Sequence, residues 1–298
     1  MAAAPLIDRA FLERLERLTI HWSKSFPGLV GGHNPSRFAG AGQEFLDHRH
    51  FHAGDDLRAV NWRAYMRLEK LFLKMFQIEP RVPIRLLLDI SDSMTTGDGA
   101  EGTPKFDYVR KLAAALCYVG LVRLDTIHLQ PYSHRLLDPF ICSGGRHRFL
   151  PAVDYLTALK PAGRSDWTQV SRAFLAEYTQ RGLVIILSDF LEEGPVEKSI
   201  QYLADFGHEL LLIHVWAQSD RVPPWEGELD LIDIETGGQL EITFDARSRE
   251  QYTRSFDAYA ASLQRLALQN HGRYVGLSTS VPVEEALFSP LMRSQGVA

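Results

Sequence analysis

The sequence predicts an α/β domain with a doubly wound, mainly parallel sheet and helices on both faces. Two observations carry this. Runs such as "RLLLD", "LVIILSD" and "ELLLIHVW" are strand-length and almost wholly apolar, as strands buried on both faces are. Between them lie segments with apolar residues at helical spacing, and strands alternating with helices through right-handed crossovers build such a sheet.

The elements follow in order. Residues 7–22 mix apolar, acidic and basic positions as an amphipathic helix does. "PGLVGGHNPSRFAGAG", rich in glycine and small residues, is loop. Residues 70–79 alternate well enough for a strand. From residue 83 the order is strand 83–89, helix 105–123, strand 125–133, a short strand within 135–142, helices 147–159 and 167–181, strand 182–189, helix 195–207 and strand 208–216. Residues 228–244 read as a hairpin with Thr-Gly-Gly at its turn. A helix over 247–270, a strand over 272–278 and a helix over 282–293 complete the chain. Two parts are expected: residues 1–80, an N-terminal helix and segment packing on the main domain, and residues 81–298, the α/β domain with its hairpin insertion.

The chain of 298 residues is 45% hydrophobic and 23% charged, an ordinary globular composition with enough length for a sizeable core. A net charge of -5 argues against a general nucleic-acid binder, which needs clustered Lys and Arg. Cys117 and Cys142 have no metal-type spacing and make no disulfide framework, which fits a reducing compartment; Cys117 lies in an apolar helical pattern and reads as a buried thiol. The first residues lack the cationic and apolar regions of a signal peptide. No apolar run approaches the ~20 residues of a membrane span. The expected location is the cytoplasm.

Chemistry is expected at the strand ends. In such a sheet, ligands sit beyond the carboxyl ends of the strands at the topological switch point. Two apolar strands end in aspartate, at Asp89 and Asp189, and "DISDS" adds Ser91 and Ser93. The loop "PAGRSDWTQ" can add Ser165 or Thr168. An all-oxygen set of low charge suits Mg²⁺ or Mn²⁺: Mg²⁺ takes about six oxygens at ~2.1 Å, usually one or two of them carboxylates. Neutral hydroxyls leave such an ion electron-poor, so a carboxylate from another molecule can fill an open position. The competing reading makes Asp89 and Ser93 cap and turn residues. A phosphatase with an aspartate nucleophile needs a second Asp two residues on as general acid; Ser91 stands there and cannot serve. No Gly-x-Ser-x-Gly elbow and no P-loop is present.

Asp89-x-Ser91-x-Ser93, a hydroxyl at Ser165 and Asp189 in "ILSDF" resemble the metal-ion-dependent adhesion site of von Willebrand factor A domains, and the element order from 83 to 293 fits that fold. Upstream, "GAGQEFLDHRHFHAGDDLRAVNWRAYMR" resembles the signature of the bacterial domain-of-unknown-function family fifty-eight, at Gly42, Glu44, Phe45, Arg49, Gly54, Asp55, Asp56, Arg58, Trp62 and Arg67. "LDLIDIETGGQLEI" and "TSVPVEEAL" resemble its C-terminal part. Ser165 departs from the usual threonine, Asn61 from Asp, and Phe51 from Tyr. The resemblance implies a von Willebrand factor A-like fold and a protein-binding module rather than an enzyme. It implies metal ligands at Asp89, Ser91, Ser93, Ser165 and Asp189. It also implies a protein partner, a MoxR-type AAA+ ATPase or its client, since such genes commonly lie side by side. The alternatives are a metal-dependent hydrolase using the same cluster and a structural domain with a vestigial site.

Other features have plainer readings. His48, His50 and His52 would share one face of a strand, but no fourth zinc ligand is near in sequence. "GDDLR" reads as a turn fixed by Asp55 and Asp56, with Arg58 paired to a carboxylate and Trp62 buried against the main domain. Trp216 and Trp225 flank "AQSDRVPP" and serve either a core or an interface.

Overall fold

The computed structural model describes residues 6–20, 44–52, 55, 57, 60–77, 82–99, 102–192 and 194–294. It divides into two compact units, Met1–Ser23 with Pro83–Ala298, and Lys24–Val82.

The chain opens with α1 (Arg9–Leu15), capped by Asp8, whose carboxylate accepts from the Phe11 N–H at 2.7 Å. The helix is shorter than expected, but Phe11, Leu15, Leu18 and Ile20 are all buried and share a core with the sheet.

The second unit has β1 (Glu44–His50), α2 (Trp62–Leu68) and β2 (Phe72–Gln77), with β1 and β2 antiparallel and a bulge between Phe45 and Asp47. Asn61 caps α2: its side chain accepts from the Ala64 N–H at 3.3 Å. Arg49 grips Asp55 through two hydrogen bonds of 2.6 and 2.8 Å, and Asp55 also accepts from the His52 N–H. Those bonds from Arg49 hold the Asp55 carboxyl down at about 2. Asp55 thus fixes a turn with Arg49; Asp56 and Arg58 lie outside the described residues, as do Gly42 and Gly54. Trp62, expected in the interior, is 55% exposed and packs edge-on against Tyr65. The described histidines of the alternating run have other partners: His50 lies over Phe72, and His52 Nδ1 is 3.2 Å from Arg49.

The first unit continues with β3 (Ile84–Asp89), α3 (Lys105–Val122), β4 (Ile127–Tyr132), β5 (Phe140–Cys142), α4 (Phe149–Ala158), α5 (Trp167–Glu177), β6 (Leu183–Ser188), α6 (Val196–Asp205) and β7 (Glu209–Trp216). After the short α7 (Gln218–Arg221) come β8 (Gly227–Ile232), β9 (Gln239–Phe244), α8 (Ala246–Gln269), β10 (Arg273–Ser278) and α9 (Val283–Ala286). Six strands form one sheet in the order β10-β7-β6-β3-β4-β5, parallel except for β5. Counted along the chain this is 3-2-1-4-5-6 read from the β5 edge, the doubly wound order, with its switch point between β3 and β6. The expected fold class is the observed one. β5 is shorter than its apolar run because Pro139 supplies no N–H to the ladder.

Side-chain alternation explains the uninterrupted apolar runs. Leu86 and Leu88 pack with α1, α3 and α4 on one face, while Leu87 packs with Trp167, Phe174 and Ile200 on the other. Each strand therefore needs apolar residues at every position. Cys117 and Cys142 are both buried and unpaired by a disulfide. Among the described residues no helix is long and apolar enough to cross a membrane.

Candidate functional site

The site is built where β3 and β6 end side by side. Backbone pairing of Ile84–Leu88 with Leu183–Leu187 sets their ends level, so Asp89 and Asp189 reach one crevice. Asp89 is fully buried. Its Oδ1 accepts from the Ser91 N–H (2.9 Å) and the Ser91 hydroxyl (2.7 Å). Its Oδ2 accepts from the Ser188 hydroxyl (2.6 Å) and the Tyr132 hydroxyl (3.3 Å). Ser91 and Ser93 hydroxyls stand 3.0 Å apart. Burial, and then the Asp189 charge, push the Asp89 carboxyl up to about 7, against the pull of Ser188 and Ser91.

Asp189 has a different environment. Lys105 Nζ, at the first turn of α3, donates to its Oδ2 at 2.7 Å, and the Leu191 N–H donates to its Oδ1 at 3.1 Å. Lys105 is buried and also reaches Asp220 at 3.1 Å. Burial opposes the ammonium charge, but the two carboxylates outweigh it and raise the Lys105 pKa. Phe190, immediately after, takes a left-handed backbone (φ 53), held by stacking on Trp167 and by the Tyr259 hydroxyl donating to its carbonyl. That strained residue turns the chain so that Leu191 can cap Asp189.

The third part is the loop before α5. Ala162 N–H donates to the Ile90 carbonyl, Asp92 N–H to the Gly163 carbonyl, and Gly163 N–H to the Asp92 carboxylate. Gly163 makes this turn at φ +79, where a side chain is disfavoured. The loop is thereby fastened to the segment carrying Ser91 and Ser93. Ser165 is buried there, Thr168 is more exposed, and both line one open cleft of about 530 Å³ with Ser93.

The opposite wall of that cleft is the tip of the β8–β9 hairpin, including Asp233 and Glu235. Burial raises the Glu235 pKa, while the Ser93 hydroxyl and the Ser165 and Ser93 N–H groups favour its charged form. Neither Glu235 nor Lys105 was singled out by sequence reasoning. Glu235 sits in ordinary turn chemistry, "DIETGG", and Lys105 in an ordinary helix start, "TPKF". Nothing local marks that either side chain points inward.

The donor set fits a hard divalent cation. The donors are oxygens, mostly neutral, around a buried Asp89 that has no cation of its own among the described residues. The 3.0 Å between Ser91 and Ser93 hydroxyls matches the ~3.0 Å edge of an octahedron with ~2.1 Å bonds. Among the described residues no three of His, Cys, Asp or Glu converge as a metal site. Each Asp189 oxygen accepts one hydrogen bond, from Lys105 and from the Leu191 N–H, and keeps further acceptor capacity.

Comparison with known proteins bears out the family part of the sequence resemblance. The family model described as "Protein of unknown function DUF58" matches residues 47–262. The chain is 23% identical over 270 residues to the uncharacterised protein Rv1480 of Mycobacterium tuberculosis, covering 89% of this chain and 84% of that one. It is 33% identical over 112 residues to the uncharacterised protein MAV169 of Mycobacterium avium, covering 37% and 64%. Similar solved structures include the conserved hypothetical protein BatB from Bacteroides thetaiotaomicron, with 16% identity, TM-score 0.41, and 72% and 98% of the two chains covered. The SpRpn10 VWA domain is another, with 14% identity, TM-score 0.37, and 73% and 98% covered.

Proposed function

The chain belongs to the DUF58 family of proteins of unknown function, and from that premise we propose that it is a non-enzymatic, cation-dependent protein-binding module. Asp89, Ser91, Ser93 and Ser165 would hold Mg²⁺ or Mn²⁺, with Asp189 direct or through water. The bound ion supplies a Lewis-acidic position for a carboxylate. The observation that carries the reading is the hydroxyl pair Ser91 and Ser93 beside buried Asp89 at the switch point of the sheet.

The chain's own residues do the positioning. The Ser188 and Tyr132 hydroxyls fix the Asp89 carboxylate from behind and keep one oxygen directed to the serines. Lys105 neutralises Asp189, which lowers the negative charge near the ion and favours an incoming acidic side chain. The partner is a MoxR-type AAA+ ATPase or its client, contributing an Asp or Glu. The test is capture of a purified MoxR-type AAA+ ATPase from the same organism. Wild type is expected to retain it in Mg²⁺, release it in EDTA, and lose it on Asp89→Ala with the fold intact. Removing a central contact of this kind costs roughly 2–4 kcal/mol of binding. Capture that ignores EDTA and Asp89→Ala would contradict the reading.

A further inference from the structure

One residue at the mouth of the site faces the wrong way for a surface turn. The β8–β9 tip is rigidly built. Asp233 accepts from the Glu235 N–H (2.8 Å), the Thr236 N–H (3.2 Å) and the Thr236 hydroxyl (2.7 Å). Gly237 (φ +71) completes the turn, with its N–H donating to the Asp233 carbonyl. Asp233, Ile234 and Thr236 are exposed, Ile234 by 51%. Glu235 between them turns inward, and its Oε1 is buried with no hydrogen-bond partner. A buried carboxylate oxygen without a partner is costly, so a compensating group belongs beside it.

The surroundings say what that group is. The Glu235 carboxylate lies by the Ser93 hydroxyl and the Ser165 backbone, in the field of Asp189. Glu235 lines one cleft with Ser93 and Ser165, two of the hydroxyl residues of the cation cluster. Among the described ion pairs Lys105 is shared by Asp189 and Asp220 and does not reach Glu235. A cation on those hydroxyls would give the buried Glu235 oxygen its partner.

We propose that Glu235 is the chain's own carboxylate ligand for the cation at the Asp89–Ser91–Ser93–Ser165 cluster, so that the β8–β9 hairpin closes the site against a carboxylate from outside. This rests on the cation-binding reading above. A partner's acidic side chain then competes with Glu235, and hairpin displacement becomes the step that opens the module. The tip is suited to such motion. Two-stranded hairpins are marginal alone, and Ile232, Ile234 and Leu240 remain more than half exposed.

Water-proton relaxation with Mn²⁺ tests this, because it counts waters on the bound ion. With wild type, Mn²⁺ is expected to bind with one coordination position taken by Glu235. Glu235→Ala should raise the relaxation enhancement by the contribution of one coordinated water and weaken Mn²⁺ binding several-fold. Asp233→Ala, which loosens the turn but keeps Glu235, should shift both readings in the same direction by less. Circular dichroism confirms that each variant is folded. Asp89-dependent Mn²⁺ binding with identical hydration in wild type and Glu235→Ala would overturn the internal ligand alone. Absence of Asp89-dependent binding in wild type would overturn the cation site and the internal ligand together.

Discussion

Asp89 and Asp189 end neighbouring strands, yet their partners differ. Asp189 faces a buried ammonium, while Asp89 faces four hydrogen-bond donors and, among the described residues, no cation. The Lys105–Asp189 pair is shielded on both sides, each side chain 1% exposed. Removing one member strands a buried charge, so Lys105→Met is expected to cost about 3–5 kcal/mol by chemical denaturation. Arg221→Ala is the internal contrast. It breaks a pair with Asp257 of similar geometry, but with side chains 39% and 49% exposed, and is expected to cost less than about 1 kcal/mol. Equal costs would contradict this assignment of the two pairs.

His128 makes the fold pH-sensitive. Burial, and then the charge of Arg85, push its imidazole down to about 4, and its Nδ1 has no hydrogen-bond partner. The unfolded chain takes up this proton near its ordinary value of about 6.5, whereas the folded chain resists until about 4. At this site the unfolded state therefore binds more protons between those values, so the His128 contribution to stability falls as pH drops through that window; His214, pushed down to about 4 by burial, adds to it, and Asp89, pushed up to about 7, opposes it. The expected slope is well below the ~1.4 kcal/mol per unit of a single fully coupled group, because the ring is partly solvated. His128→Phe should flatten this part of the stability–pH curve, and an unchanged slope would assign it elsewhere.

Helices and strands were legible where burial imposes a pattern. β3, β6 and β7 announce themselves because both faces are covered. β1 carries no such mark: "EFLDHRH" is polar and lacks that signal, and its strand form depends on pairing with β2. The last helix was expected as one piece over 282–293. It instead widens into a π-turn at Leu287–Leu291 around Pro290, which has no N–H to donate. α1 shows packing overriding helix length, because the chain leaves the helix yet still buries Leu18 and Ile20. Leu15 is fully buried in the core shared with α3, so Leu15→Ala is expected to lower stability by about 2–5 kcal/mol. A loss below ~1 kcal/mol would mean that α1 only rests on the surface. Asp89, Ser91, Ser93 and Asp189 could be read from strand ends. Glu235 could not, because which turn lies across the crevice is a property of the folded chain.

At the scale of the molecule, the doubly wound sheet brings together residues separated by about half the chain. Asp89 ends β3 and Ser93 lies in the loop after it, Ser165 comes from the loop before α5, Asp189 directly follows β6, and Glu235 comes from the β8–β9 hairpin. No local segment brings these groups together; the fold does it by ending adjacent strands level. The central claim is that this convergence binds a divalent cation. Titration calorimetry with Mg²⁺ on folded wild type and Asp89→Ala tests it most directly. The account predicts a saturable, single-site signal in wild type that Asp89→Ala abolishes while circular dichroism stays unchanged. Identical titrations for the two proteins would contradict it.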